Sequence, residues 1–282
     1  MLRKICGHWR AVEHRKRLLS SQRRALPDFI IVGAQKAGTT FLYHVLSQHP
    51  DVLAASEKEV HYFDDPQNFR RGENWYRAHF PLQKSLERRR QSTERTILTG
   101  EASPYYLAHP MSAPRAAQLV PQAKLIVLLR NPTERAYSHF GHNKARETLS
   151  FEDALADEDE RLSNEAELLN SEPFYSENHR LFSYRARGIY LPQIQHWEEF
   201  FPRAQMLILP SEGLFRQTSQ NLESVFAFLN LAPRQPRDLA PQNEGRSKEK
   251  MKPATHDALQ HFFAPHNQRL YEHLGTDFGW DK

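Results

Sequence analysis

The chain has 282 residues, 39% of them hydrophobic and 26% charged, with 38 Lys+Arg against 34 Asp+Glu for a net charge of +4; this is the make-up of one large globular domain or two small ones. Residues 1–24 hold eight basic residues against Glu13 alone, a net of +7, so the other 258 residues sum to −3 and the body lacks the broad positive field of a polyanion-binding protein. The lone Cys6 excludes a disulfide within the chain and a cysteine-based zinc site, and fits a reducing compartment.

The first 27 residues read as a basic arm, either a solvated helix or disordered, although Arg-rich, acid-poor starts also occur in transit peptides. No run approaches the ~18–20 apolar residues of a membrane span, so a soluble protein is expected. After Pro27 the run Phe29-Ile30-Ile31-Val32-Gly33 predicts a buried parallel strand. From Gly38 the apolar positions Phe41, Leu42, Val45 and Leu46 share one helix face, and the helix should end near His49-Pro50.

Thr96–Thr99 is a candidate strand. Lys124–Leu129 is a stronger one, followed by Arg130 and then by Asn131 as cap, Pro132 at the first helical position and Glu134 completing a capping box. The acidic stretch from Glu152 to Glu167 reads as a solvated helix face. A helix from about Tyr190 to Phe201 and a strand at Gln205–Leu209 follow, and the stretch from Pro233 to Pro241 reads as a surface loop. Strands alternating with helices predict an α/β fold, a P-loop-containing parallel sheet flanked by helices, with residues 28–282 as a single domain.

The segment Gly33-Ala34-Gln35-Lys36-Ala37-Gly38-Thr39-Thr40 lies between strand and helix, where backbone N–H groups and the helix dipole attract a phosphate-like anion. It is not a Walker A loop, because Lys36 precedes Gly38 instead of following it. The second strand ends in Arg130 and not in an acidic residue that could hold Mg²⁺, a second departure from a nucleotide triphosphatase. Arg130 and Ser138, the latter seven residues from Asn131 and on the same helix face, suggest a second phosphate site.

Together these residues resemble the sulfotransferases that use 3′-phosphoadenosine-5′-phosphosulfate (PAPS) as donor, and most of all the sulfotransferase domains of the heparan-sulfate enzymes. The resemblance runs from about Asp28 to Trp280. It rests on Ile31 to Thr40, His49-Pro50-Asp51-Val52, Glu59-Val60-His61-Tyr62-Phe63-Asp64, Gly72 with Trp75-Tyr76, Arg130 to Arg135 with Ser138, and the spacing to Pro253, Phe263, Asn267, Gly275 and Trp280.

It implies that Gln35, Lys36, Ala37, Gly38, Thr39 and Thr40 hold the 5′-phosphosulfate and that Arg130 and Ser138 hold the 3′-phosphate. It also implies that Gly245 and Arg246 belong to the loop around adenosine 3′,5′-bisphosphate, the product. Glu59 is then the candidate general base, His61 orients the acceptor or shares the proton, and Lys36 stabilises charge on the bridging oxygen, with no metal.

Two positions depart from the family. Glu101-Ala102-Ser103-Pro104 lacks the lysine those enzymes carry at the place of Ala102, and Glu244 replaces another lysine. The expected reaction is sulfuryl transfer to a hydroxyl or amine of a saccharide or small molecule, by a cytoplasmic, bacterial enzyme with no nucleic-acid partner. The alternatives are a P-loop kinase or NTPase, and a non-catalytic scaffold that binds polyanions through its arm. Arg70, Arg71, Trp75 and Tyr76 are weighed as acceptor-cleft residues against a packed Trp-Tyr pair, and packing is favoured.

Overall fold

The computed structural model describes residues 12–169, 175–214, 220–235 and 250–281. Four parallel strands form one sheet in the order β2-β1-β3-β4: β1 is Phe29–Gly33, β2 Gly100–Ala102, β3 Lys124–Leu129 and β4 Met206–Pro210. Every residue of β1 is buried, as a strand covered by helices on both faces requires.

The chain leaves β1 for β2 on one side and returns to β3 on the other. The loops after β1 and β3 therefore diverge at the carboxyl end of the sheet, where doubly wound sheets open a crevice. The helices Thr39–Ser47 and Pro132–Asn143 begin there. Gly33 closes β1 because a Cβ at this position would meet the Leu107 side chain at 2.5 Å.

The predicted strand at Thr96–Thr99 is displaced. The sheet strand is Gly100–Ala102, and Leu98 makes only an isolated parallel bridge with Val52. A strand reading Gly-Glu-Ala carries no apolar signal, and it is buried because Glu101 is satisfied inside the fold: Tyr76 and Tyr106 donate to its Oε1 at 2.7 and 3.1 Å, and Ser103 donates to its Oε2 at 2.8 Å.

The acidic stretch from Glu152 to Glu167 divides between the helix Phe151–Leu162 and a short helix Glu165–Leu169, and the first is not solvated throughout. Glu158 is buried and accepts from the backbone N–H groups of Arg185 and Ala186 at 2.7 and 2.8 Å. The capping box is half formed. Asn131 Oδ1 accepts from Thr133 N–H at 3.0 Å, whereas the Asn131 N–H goes to Glu212 Oε1 at 2.8 Å because Glu134 turns toward Arg130.

The helix predicted over Tyr190–Phe201 ends at Glu198, and the family landmarks near the C-terminus frame the helix Pro253–Leu274, closed by Gly275 in the left-handed conformation. Trp280 is buried, and its carbonyl accepts from Asn131 Nδ2 at 3.3 Å. Tyr76 is fully buried, and Trp75 packs against the core beneath the Arg71 guanidinium at 5.3 Å, so the pair is packing and not a cleft wall.

The arm is docked from residue 12 onward. Residues 12–18 are helical, Arg17 donates to the carbonyls of Ala78 and Phe80, and Arg24 donates to the carbonyl of Phe80 at 2.7 Å. His14 lies against His79 with ring centroids 4.3 Å apart.

Candidate active site

The loop from Ala34 to Gly38 turns the chain out of β1 and into the helix Thr39–Ser47. Gly38 takes the N-cap position in the left-handed region (φ 86°), and no acidic residue occupies the first turn. The amides of that first turn lack intrahelical partners, and an anion placed there meets the positive end of the helix dipole. Ala37 and Thr39 are buried, while Gln35, Lys36, Gly38 and Thr40 are partly buried around the turn.

Lys36 itself adopts φ 71°. Burial, and the neighbouring Arg130 charge, push its ammonium down from the ordinary lysine value, while Glu59 pulls in the other direction. Arg130 Nη1 donates to the Lys36 carbonyl at 3.3 Å and its Nη2 lies 3.7 Å from Glu134. Ser138 is half-buried on the helix Pro132–Asn143 that Arg130 precedes. The two loops inferred separately from sequence thus form one cationic corner at the switch point. Gly245 and Arg246, together with Glu244, lie outside the described residues.

Glu59 and His61 stand beside this corner in the connection that follows the helix Thr39–Ser47. Both have positive φ, 64° and 51°; with Lys36 they are three of the five non-glycine residues in this conformation among the described residues. Such conformations persist where surrounding structure holds them, and they gather at functional sites. Here the Glu59 N–H donates to the Ala102 carbonyl at 3.0 Å, and the His61 N–H donates to Ser103 Oγ at 3.2 Å, which binds the segment to the end of β2.

The side chains form a line. Asp64 Oδ2 is 2.7 Å from His61 Nδ1, and His61 Nε2 is 3.3 Å from Glu59 Oε2. Side-chain exposure falls from 42% at Glu59 through 17% at His61 to 0% at Asp64, so an incoming molecule reaches Glu59 first. Lys58 Nζ sits 2.6 Å from Glu59 Oε1.

Desolvation alone would raise the Glu59 carboxyl, but the His61 hydrogen bond and the Lys58 charge outweigh it and hold it at about 2. Burial alone would lower His61, yet Asp64 and the Glu59 hydrogen bond raise it to about 9. At neutral pH the pair is carboxylate and imidazolium.

Several neighbours carry no sequence signal. Arg187 is buried, donates from Nη1 to Gln35 Oε1 at 2.6 Å and lies over the Tyr105 ring at 4.4 Å, which ties the anion loop to a segment 152 residues away. His142, on the helix of Ser138, is depressed by burial and by Lys36, with Glu59 opposing, which puts it in the same electrostatic neighbourhood. Lys58 could have been noticed beside Glu59. It supplies a positive charge next to that carboxylate in a chain where Ala102 supplies none.

Residues 26–268 match the family model described as a sulfotransferase domain. The chain belongs to the sulfotransferase family. It is 32% identical to a structurally characterised sulfotransferase from Alicyclobacillus acidocaldarius, with a TM-score of 0.68 over 92% of this chain and 100% of that one. It is 28% identical to the membrane-associated sulfotransferase kil1 of Dictyostelium discoideum, over 90% of this chain and 66% of that protein.

It is also 32% identical to the bifunctional heparan sulfate N-deacetylase/N-sulfotransferase 1 of Caenorhabditis briggsae, over 76% of this chain and 24% of that protein. The chain therefore spans about two thirds of the first of these two curated relatives and about a quarter of the second. The parallel sheet with its P-loop-like corner is the architecture of this sulfotransferase family. Among the described residues no group of three or more His, Cys, Asp or Glu is placed to hold a metal ion, and no helix is long and apolar enough to cross a membrane.

Proposed function

We propose that the chain transfers a sulfuryl group from PAPS to a hydroxyl or amine of a saccharide or small-molecule acceptor, releasing adenosine 3′,5′-bisphosphate. The donor supplies an activated sulfuryl group on a phosphate leaving group. The single observation that carries the reading is the meeting of Lys36 and Arg130, two cations at a helix N-terminus with no acid in its first turn, beside the Glu59 carboxylate. This corner fits a donor that carries phosphate and sulfate groups.

In this proposal Gln35 to Thr40 hold the phosphosulfate end, and Arg130 with Ser138 holds the 3′-phosphate, joined by Gly245 and Arg246. Glu59 takes the proton from the acceptor O–H or N–H at Oε2, the atom facing His61. The His61 imidazolium, anchored by Asp64, keeps Glu59 ionised and aimed, and Lys36 balances negative charge as it develops on the leaving oxygen. A carboxylate held at about 2 is a weak equilibrium base, so the proton leaves the acceptor only as its bond to sulfur forms and its acidity rises.

The relatives' printed names include heparan sulfate N- and 3-O-sulfotransferases, which supports acceptors of the glycan class. A cytoplasmic site of action belongs to the same proposal and is supported by the single Cys6. The test is incubation with PAPS and fractionated glycan and small-molecule pools, read by mass spectrometry. Products heavier by one sulfuryl group, formed together with adenosine 3′,5′-bisphosphate, support the reading. Turnover of ATP in place of PAPS overturns it.

A further inference from the structure

The basic arm is not used by the chemistry, yet it is built into the body at a definite place. Beyond the carbonyl contacts of Arg17 and Arg24, Ala25 packs with Leu86 and Ile97 in a small core of its own, and Arg24 forms an antiparallel bridge with Leu82. This seats the arm against the helix Gln83–Thr93, which is itself basic. Residues 83–95 carry five basic residues against Glu87 and Glu94, a net of +3, to add to the +7 of residues 1–24. The 245 residues outside these two segments then sum to −6, so the positive charge of the chain is concentrated in these two segments of the sequence.

The charges face water. Arg15, Lys16, Arg23, Lys84, Arg88 and Arg89 are all exposed, and among the described residues none of the six pairs with a carboxylate. The helix gains no stability from this arrangement. Lys84 sits in its first turn, where the dipole disfavours a cation and no side chain caps the end, and Lys84 and Arg88 are like charges at i and i+4. Among these cations stand two large exposed apolar side chains, Leu19 at 88% and Leu82 at 38% exposure.

Leu19 decides between partners. A soluble polyanion such as nucleic acid rewards the cations alone, whereas an anionic lipid surface also accepts a leucine into its headgroup boundary. We infer that the arm from residue 12 onward and the helix Gln83–Thr93 form a docking face for an anionic bilayer surface, with the cations on lipid headgroups and Leu19 inserted. Arg90, on the same helix, lies 3.9 Å from Asp28 at the amino end of β1, while the anion loop begins at its carboxyl end. Docking at this edge leaves the crevice at the other end of the sheet uncovered.

Co-sedimentation of the full chain with vesicles tests this. Binding is expected to equimolar phosphatidylcholine–phosphatidylglycerol vesicles and not to phosphatidylcholine alone. Since each cation at such a surface contributes about fivefold, the triple change Arg15→Glu, Lys16→Glu, Arg23→Glu should lower binding at least about a hundredfold. Lys84→Glu with Arg88→Glu, on the body itself, should lower it at least about 25-fold by the same reasoning.

Leu19→Ser should weaken vesicle binding severalfold and leave binding to double-stranded DNA unchanged. The proposal is overturned if the wild-type chain does not sediment with anionic vesicles, or if neither set of charge reversals matters. It is equally overturned if Leu19→Ser changes nothing and DNA binds as tightly as the vesicles, which would make the face a soluble-polyanion site. The variants touch no residue of the crevice, so PAPS turnover on a soluble acceptor should be retained in all of them.

Discussion

The Arg130 guanidinium donates to the main-chain carbonyl of Lys36 at 3.3 Å. This contact joins the loop after β1 to the loop after β3, and it brings two positive charges together, with Glu134 of the following helix 3.7 Å from the guanidinium. Burial lowers the affinity of Lys36 for a proton, repulsion from Arg130 lowers it further, and an anion entering the corner relieves that repulsion.

Lys36→Ala and Arg130→Ala should each weaken adenosine 3′,5′-bisphosphate by about 10- to 100-fold, the scale of a lost charge-assisted hydrogen bond. Isothermal titration reads this directly. Arg130→Lys should recover only part of the loss, since a point charge cannot both reach the ligand and hold the Lys36 carbonyl. Unchanged affinity in both alanine variants would remove these residues from the donor site.

Glu59→Gln keeps the shape of the side chain and removes its charge. Product-nucleotide affinity should stay within a few-fold, while turnover falls by roughly 10² or more, as general-base removal does. If turnover is retained, the base lies elsewhere, and His142, which feels both Lys36 and Glu59, is the next residue to change.

His61 sets the alkaline limb. Burial disfavours its charge, but Asp64 and Glu59 raise it to about 9, so kcat/KM should hold through neutral pH and decline as pH rises through about 9. Asp64→Asn should move that decline toward neutrality. Stability follows the same sign. With the folded value above the ordinary 6.5, the contribution of His61 is complete below 6.5 and is lost as pH rises through 9. Glu59, held at about 2, contributes above its ordinary value and loses that contribution only as pH falls toward 2.

Glu101 is a structural counterpart to these groups. Burial raises its carboxyl, and three hydroxyls donate to it. Glu101→Leu leaves those hydroxyls without their acceptor and should cost on the order of 3 kcal/mol, seen as a thermal midpoint lower by roughly 5–10 °C. Glu101→Gln, which still accepts, should cost much less.

Arg187→Ala frees Gln35 and removes the link to the Tyr105 segment. The KM for PAPS should rise about tenfold, the cost of losing a hydrogen bond to a charged group, with a smaller change in kcat. An equal fall in kcat would mean that Arg187 reaches the reacting atoms.

Much of this was legible in the sequence because it is local. The run Phe29–Gly33 must be a covered strand, Gly38 must follow the loop that Lys36 occupies, and Asn131 with Pro132 must start a helix, since each depends on neighbours within one or two turns. Charge counting also found the arm, although nothing local showed that Arg17 and Arg24 tie it to Ala78 and Phe80.

The rest was decided by contacts between distant segments. Gly100–Ala102 becomes a strand only because Tyr76, Ser103 and Tyr106 satisfy the Glu101 carboxylate, and Glu158 leaves solvent only because the amides of Arg185 and Ala186 receive it. The sequence by itself determined the strand and helix units, the residue types of both anion loops and the polarity of the two ends of the chain. The tertiary structure alone decided that Lys36 meets Arg130, that Glu59, His61 and Asp64 line up with falling exposure, and that Arg187 grips Gln35. Strand order and buried polar pairing set these relationships, and neither leaves a period or a spacing in the chain.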